Sequence, residues 1–554
     1  MIKENFIKIY EESFRANWRL PAFTNYSSKE MVTYQEFAYE IAKLHILFKD
    51  LNVKKGDRIA LVGRNNTNWC LSYMAVVTYG AVIVPILQEF NAKDIQHIIN
   101  HSGSLMLFCS NNIWENIEED TIERVKGVVS LNDMSLLHDN TSGRFAKTLS
   151  SLPGLMQKKY PDGFKQSDIR YADVGNEQLV LINYTSGTTG FSKGVMLTGN
   201  NLAGNVTYAW ELNLLNRGER ALSFLPLAHA YGCAFNFLLP LSVGVHVTLL
   251  DKVPSPKILM KAFATVRPNV VITVPLIIEK IYRRMLLPAI SKPAMRMALK
   301  VPILNDRIYR MISAKLKAAM GGEFREVIIG GAALNKDVED LLLRMKFPFS
   351  VGYGMTECGP LISYDHNYDF VPSSCGQILR GIMEVRIDSS NPYEKVGEIQ
   401  VKGENVMMGY YKNPEATREV FTDDGWLRTG DLGTIDRDNR IFIRGRSKTM
   451  ILGASGQNVF PEEIEAKLNN LPYVSESLVI EKNGKLVALV YPDMESADAN
   501  GVTHQRLPLV MDQNRAALNK LVAPYEAISA INLFPNEFEK TPKKSIKRYL
   551  YQSH

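Results

Sequence analysis

Short apolar runs alternate with stretches of helical spacing through most of this chain, and no other feature constrains its fold as tightly. Runs at residues 58–62, 81–85, 179–182, 245–250, 269–274 and 326–329 read as buried strands. Ahead of the first, Thr33 and Glu36 form a capping box, and Phe37, Ile41, Leu44 and Phe48 follow at helical spacing to an end near Asn52. Strands separated by helices pair in parallel and are covered on both faces. A length of 554 residues exceeds what one core can serve, which predicts two or more domains. From about residue 375 the texture changes to short strands with Gly and Asp turns, at 385–387, 397–401 and 440–443, predicting a β-rich subdomain or small β-barrel over about 375–446. It changes again beyond Arg446. Pro461 with Glu462 and Glu463 opens a helix, and Asn483-Gly484 between two apolar runs marks a hairpin. The predicted division is therefore an N-terminal domain over 1–446 and a C-terminal domain over 449–554, meeting at 447–448.

Several function classes drop out on composition. Cys70, Cys109, Cys233, Cys358 and Cys375 are scattered with no Cys-x-x-Cys pair, which argues against a zinc site or a disulfide framework and fits a reducing compartment. The N-terminus lacks the core of a signal peptide, and the apolar stretch 74–87 is interrupted by Gly80 and Pro85 and is too short to span a bilayer. A cytoplasmic protein is expected. The net charge of +6 is unevenly placed: residues 283–322 hold nine Lys/Arg against the single acid Asp306, together with five methionines. Such a stretch can lie on an anionic membrane surface, at the inner membrane face, or present a solvated helical face above a methionine-filled core side. Nucleic acid is not an expected partner, because Tyr309 is the only interleaved aromatic and no recognised motif is present.

The chemistry concentrates in four motifs. Thr185, Ser186, Gly187, Thr188, Thr189 and Gly190 follow the apolar run 179–182 and precede Lys193-Gly194. Glycines let backbone N–H groups approach an anion, hydroxyls donate further hydrogen bonds, and the lysine adds a point charge. A polyphosphate needs that combination, although no Gly-Lys-Ser/Thr closes a Walker A frame. The second motif, Gly352-Tyr353-Gly354-Met355-Thr356-Glu357, follows an apolar segment, as a ligand-binding loop at a strand's C-terminal end does. It supplies a flat π face, a hydroxyl and a hard anionic oxygen. The third joins Asp431, in the run 424–431, with Arg446 and Lys448 in the basic run 444–448. The fourth is the glycine-bearing segment 453–465. The bulk-free Gly330-Gly331-Ala332 and His229, in the segment 226–232, complete the inventory.

In their order and spacing these motifs resemble the acyl-adenylate-forming enzymes: acyl-CoA synthetases, luciferases and the adenylation domains of peptide synthetases. The family loop runs Thr-Ser-Gly-Thr-Thr-Gly-x-Pro-Lys-Gly-Val. Here Ser192 replaces the proline, and Gly199 stands where a histidine is usual. The resemblance spans nearly the whole chain. It implies an α/β fold with a large N-terminal domain of two doubly wound αβ subdomains plus a small β-barrel, and a smaller, mobile α+β C-terminal domain. It also implies ATP, Mg²⁺ and CoA as cofactors and co-substrates. By resemblance the loop from Thr185 to Lys193 binds the phosphates, Tyr353 stacks on adenine, Thr356 contacts the α-phosphate, and Glu357 with Thr185 holds the metal. Gly331, Ala332 and Gly354 let adenine and acyl chain approach the backbone, Asp431 and Arg446 hold the ribose, and Lys448 is the hinge. Residues 453–458 would line the pantetheine tunnel. His229 would line the acyl pocket, with a core histidine as the alternative.

The segment Val274-Pro275-Leu276-Ile277-Ile278-Glu279-Lys280-Ile281-Tyr282 resembles a signature of long-chain fatty acyl-CoA synthetases, followed, as there, by a helical insertion. Expected, therefore, is AMP-forming ligation of a long-chain fatty acid to CoA. The rivals are an acyl-AMP ligase that loads a carrier protein and a non-catalytic acyl- or nucleotide-binding homologue. At the chain's end, alignment on Thr541-Pro542 and Ile546-x-Arg548 puts Ser545 where the family has its catalytic lysine. Lys543 or Lys544 would then supply the charge, and Lys544 is the expected catalytic residue.

Overall fold

The computed structural model describes residues 2–122, 124–185, 192–452, 457–541 and 545–552. Its largest sheet has eight strands in the order Gly409–Tyr410, Lys193–Thr198, Leu179–Thr185, Val82–Ile86, Arg58–Val62, Met106–Cys109, Gly127–Ser130, Leu136–Asp139. The interior pairs run parallel, and antiparallel partners stand at both edges. The inner strands are apolar at successive positions because helices cover both faces, which leaves no solvated face to alternate with.

A second parallel array holds Arg220–Ser223, His246–Leu249 and Pro21–Asn25, with Met31–Thr33 antiparallel at its edge. The Asn269 N–H donates to Arg220 O at 2.9 Å. That bond links the array to the parallel strands Val270–Thr273, Glu326–Ile329 and Phe349–Val351. The helix opened by Thr33 runs Tyr34–Asp50, with its capping box formed as the spacing predicts. Residues 383–446 form a four-stranded antiparallel sheet, Met383–Asp388, Gly397–Gly403, Leu427–Ile435 and Ile441–Arg446.

Beyond residue 446 the apolar side chains gather in clusters of their own, around Val459, Ile464, Leu468 and Met511, and around Phe538 and Tyr551. The predicted hairpin pairs Val474–Lys482 with Lys485–Pro492, and Asn483 and Gly484 take φ of 52° and 72°, as a two-residue turn of this hand requires. Polar contacts fasten this unit to the rest. Arg283 donates to Asn469 O at 2.9 Å, Asn335 and Asn470 exchange hydrogen bonds, and Asn470 donates to Asp337 at 2.6 Å.

The basic, Met-rich stretch is helical in pieces, Leu287–Ile290, Pro293–Ala298 and Pro302–Ala319, each with a proline in its first turn. Its inner side buries Ile308, Tyr309, Leu316 and Met320, while Met285, Met297, Val301, Leu304 and Met311 are exposed.

Candidate active site

The strand Leu179–Thr185 and the antiparallel Lys193–Thr198 deliver the phosphate-loop motif to the end of the large sheet. Thr185 stands opposite Lys193, and its Oγ1 donates to Lys193 O at 3.5 Å. Ser186, Gly187, Thr188, Thr189 and Gly190 lie outside the described residues. The Lys193 ammonium lies 5.0 Å from the centroid of the Tyr410 ring. One residue before Thr185, the Tyr184 hydroxyl and His101 Nδ1 are 2.7 Å apart. Burial pushes the phenol up, and burial, Lys412 and His97 hold the imidazole below its usual value.

Tyr353 and Gly354 form a short strand against Leu361–Ser363, and Thr356 and Glu357 occupy the 3₁₀ turn that follows. Gly354 cannot be replaced without moving backbone, since a Cβ there would sit 2.2 Å from Pro360 O. Two buried amides pin the turn. Asn205 accepts from the Leu361 N–H at 2.8 Å, and Asn405 donates to Leu361 O at 2.9 Å. Thr356 is buried, and Glu357 Oε1 accepts from the Tyr410 hydroxyl at 2.9 Å.

The Tyr353 hydroxyl donates to Asp431 Oδ2 at 2.7 Å, and Arg446 Nε lies 3.1 Å from Asp431 Oδ1. Asp431 and Arg446 are register partners in the antiparallel sheet, so the ladder itself sets this pair. Burial, and then the carboxylate of Asp431, push the Tyr353 phenol far up, so it stays neutral and remains a donor. Asp431 is buried, whereas the Arg446 side chain is 70% exposed and free to meet a ligand. An ionised carboxylate has about four acceptor sites, so Asp431 keeps capacity for two hydroxyls.

Gly331, with φ of 89°, and Ala332 are exposed just after the strand Glu326–Ile329. His229 caps the short helix Ala230–Cys233 by accepting from the Tyr231 N–H at 3.3 Å. Lys448 is exposed in the turn after Ile441–Arg446. Residues 453–456 lie outside the described residues, but Ile451-Leu452 pairs with Asn458-Val459 on either side of them. Lys543 and Lys544 also lie outside. The chain flanking them is closed by the Lys540–Ile546 bridge and by Thr541 N–H donating to Ser545 O at 2.8 Å.

The structure thus gathers Lys193 and Glu357 around Tyr410, with Thr185 bonded to Lys193, and Tyr353 and Arg446 around the Asp431 carboxylate. Sequence reasoning missed Tyr410, Asn205 and Asn405, which no motif signals. It also missed the clasp of the tail, where Arg548 ion-pairs with Glu465 and lies 3.6 Å from Glu462. Burial pushes Glu465 up to about 7 despite the opposing Arg548 charge.

Two doubly wound parallel arrays define the class: the fold of the adenylate-forming ligases. The chain belongs to the AMP-binding enzyme family, whose pattern matches residues 11–411. It is an acyl-adenylate-forming ligase of the acid–thiol type. It is 26% identical to the long-chain-fatty-acid–CoA ligase FadD15 of Mycobacterium bovis, over 93% of this chain and 90% of that one. It is 25% identical to 4-coumarate–CoA ligase 1 of Petroselinum crispum, over 98% and 91%. The crystal structure of ATP-bound MatB from Rhodopseudomonas palustris superposes with a TM-score of 0.77 at 21% identity, over 99% of each chain.

Proposed function

We propose that this ligase activates a long-chain fatty acid with ATP and transfers it to CoA, releasing pyrophosphate and AMP. The observation that carries the reading is that the 353–357 segment joins two contact sets: Glu357, with Lys193, meets Tyr410, and Tyr353, with Arg446, meets Asp431. In the first step the carboxylate oxygen attacks the α-phosphorus, the bond to the bridging oxygen breaks, and pyrophosphate leaves. Residues 185–190 and Lys193 spread and offset the phosphate charge, Thr356 contacts the α-phosphate, and Asp431 accepts from the ribose hydroxyls while Arg446 braces the sugar. Tyr353 offers its ring to adenine, with Gly331, Ala332 and Gly354 giving the ligand close approach. Glu357, with the Thr185 hydroxyl, would hold Mg²⁺, which suits a single carboxylate together with substrate phosphates and would supply charge neutralisation. In the second step the CoA thiol loses its proton and attacks the acyl carbonyl, and AMP departs.

Residues 1–446 and 449–554 then act as two domains hinged at Lys448, within 447–448. The tail presents Lys544 for the first step, and residues 453–458 approach for the second, which also excludes water from a hydrolysable adenylate. The long-chain assignment is supported by the resemblance of the 274–282 segment to the signature of long-chain fatty acyl-CoA synthetases. Incubation with ATP, Mg²⁺, CoA and a panel of carboxylic acids tests the whole reading by following AMP and thioester. Thioester formed best from long-chain acids supports it, thioester formed only from aromatic or short acids overturns the substrate class, accumulating acyl-AMP indicates a carrier-protein ligase, and no product indicates a binding homologue. Pyrophosphate exchange that survives both Lys544→Ala and Lys543→Ala overturns the catalytic lysine.

We also propose a cytoplasmic enzyme that touches anionic membrane through 283–322. Among the described residues no helix is long and apolar enough to cross a bilayer. Of the five methionines in the stretch Met320 is buried, whereas Met297 is 73% exposed, between Arg296 and Lys300 in the chain. An exposed apolar side chain in a basic stretch suits an anionic interface, where fatty acids partition. Equal sedimentation with anionic and neutral vesicles overturns the membrane contact.

A further inference from the structure

Tyr410 stands outside every sequence motif yet touches two candidate site residues on different segments. The strand Gly409–Tyr410 is the edge of the eight-stranded sheet, with Tyr410 opposite Val195. Flanking bonds fix it there: Met408 N–H donates to Met196 O at 3.0 Å and Tyr411 N–H to Gly194 O at 2.7 Å. The Tyr410 N–H itself donates to Thr417 Oγ1 at 2.9 Å. One residue further back, Met407 N–H donates to Glu357 O at 2.8 Å, so the same short segment also holds the backbone of the second motif. From this anchored position the ring lies 5.0 Å from the Lys193 ammonium, and the hydroxyl donates to Glu357 Oε1 at 2.9 Å.

An ammonium and a carboxylate sharing one site attract each other, and a direct ion pair would cancel both charges before a nucleotide arrives. Among the described residues Lys193 and Glu357 form no such pair, because Tyr410 offers the cation its π face and the anion its hydroxyl. We propose that Tyr410 is a positioning residue that holds Lys193 and Glu357 apart and pre-aims them, fixing one oxygen of Glu357 so that the other faces a divalent cation. This rests on the ligase reading above. Tyr410 is buried, with a hydroxyl already donated to Glu357, so it acts through its two neighbours.

The test is ATP binding to the full chain by titration calorimetry across a Mg²⁺ series, with a melting temperature for each variant. Tyr410→Phe keeps the ring and loses the hydroxyl. It is expected to raise the Mg²⁺ concentration for half-maximal ATP binding roughly fivefold, the worth of one hydrogen bond, while affinity at saturating Mg²⁺ stays within about twofold. Tyr410→Leu loses the ring as well, and saturating-Mg²⁺ affinity falls about tenfold further. In a Glu357→Gln background Tyr410→Phe adds no further change in the Mg²⁺ requirement, which a general loss of packing would not reproduce. A wild type that binds MgATP beside a folded Tyr410→Phe with an unchanged Mg²⁺ requirement overturns this inference alone. Equal effects of Tyr410→Phe with and without Glu357 overturn it as well. A wild type that binds no ATP overturns the ligase reading and this inference together.

Discussion

The nucleotide side of the site and the C-terminal tail are held in opposite ways. Asp431 sits within a sheet ladder, opposite Arg446 in register and beneath a neutral, buried Tyr353 donor. Its geometry is set by backbone pairing that a ligand need not rearrange. The tail bearing Lys543 and Lys544 is fastened instead by side-chain contacts: a partly buried charge cluster of Arg548 with Glu465 and Glu462, the Lys540–Glu476 pair at 2.6 Å, and an apolar cluster around Phe538 and Tyr551. Within the charge cluster, the buried Oε2 atom of Glu462 accepts no hydrogen bond among the described residues. A pre-organised acceptor suits a pocket that must be right before substrate binds, whereas a charge clasp can be weakened by one substitution.

The largest expected effect strikes the rigid side. Asp431→Ala removes the acceptor and leaves the Tyr353 hydroxyl buried without its partner, so pyrophosphate exchange should fall by about 10²–10³-fold, with a modest fall in melting temperature from the stranded donor. A fall below tenfold would break the contrast. Next, Arg548→Ala leaves Glu465 buried without its cation. Adenylation should drop by roughly tenfold or more, while thioester formation from a supplied acyl-adenylate stays near wild type, and the C-terminal unit should lose about 3 kcal/mol in denaturant titration. Equal losses in both half-reactions would show that the clasp serves the whole unit and not its tail.

The pH dependence is smaller and has a defined sign. Burial raises Glu465 from 4.5 to about 7 in the folded chain. A carboxyl shifted upward contributes stability in full below its unfolded value, and that contribution is lost as pH rises through the folded value. The C-terminal unit should therefore weaken between about pH 4.5 and pH 7, and Glu465→Gln should flatten that profile by up to about 3 kcal/mol. The smallest effect is expected at the junction. Asn470→Ala removes the bonds to Asn335 and Asp337, worth about 1 kcal/mol, and should shift the ratio of the two half-reaction rates up to about fivefold with the melting temperature unchanged.

Much of this was legible in the residues. The runs at 58–62 and 326–329 became strands at those bounds, because an apolar run flanked by helices has no other way to bury itself. The Thr33–Glu36 capping box and the Asn483-Gly484 turn form as read, since each depends on neighbours within four residues. Tyr353, Asp431 and Arg446 were each named from a motif, yet nothing local shows that one carboxylate would join them. Tyr410 gave no signal, because its partners Lys193 and Glu357 lie far from it in the chain. The same holds for Asn205 and Asn405, buried amides whose value lies in the distant Leu361 backbone they satisfy.

By itself the sequence determined the alternation of strands and helices, the family and the identity of the candidate phosphate, ribose and metal groups, since periodicity and motif order are properties of neighbouring residues. Only the tertiary structure decided which of those groups meet: that Tyr410 stands with Lys193 and Glu357, that Asp431 is shared by Tyr353 and Arg446, and that Arg548 clasps Glu465. Contacts between segments separated by tens or hundreds of residues are selected by packing and charge satisfaction in the folded chain, and no local pattern encodes them.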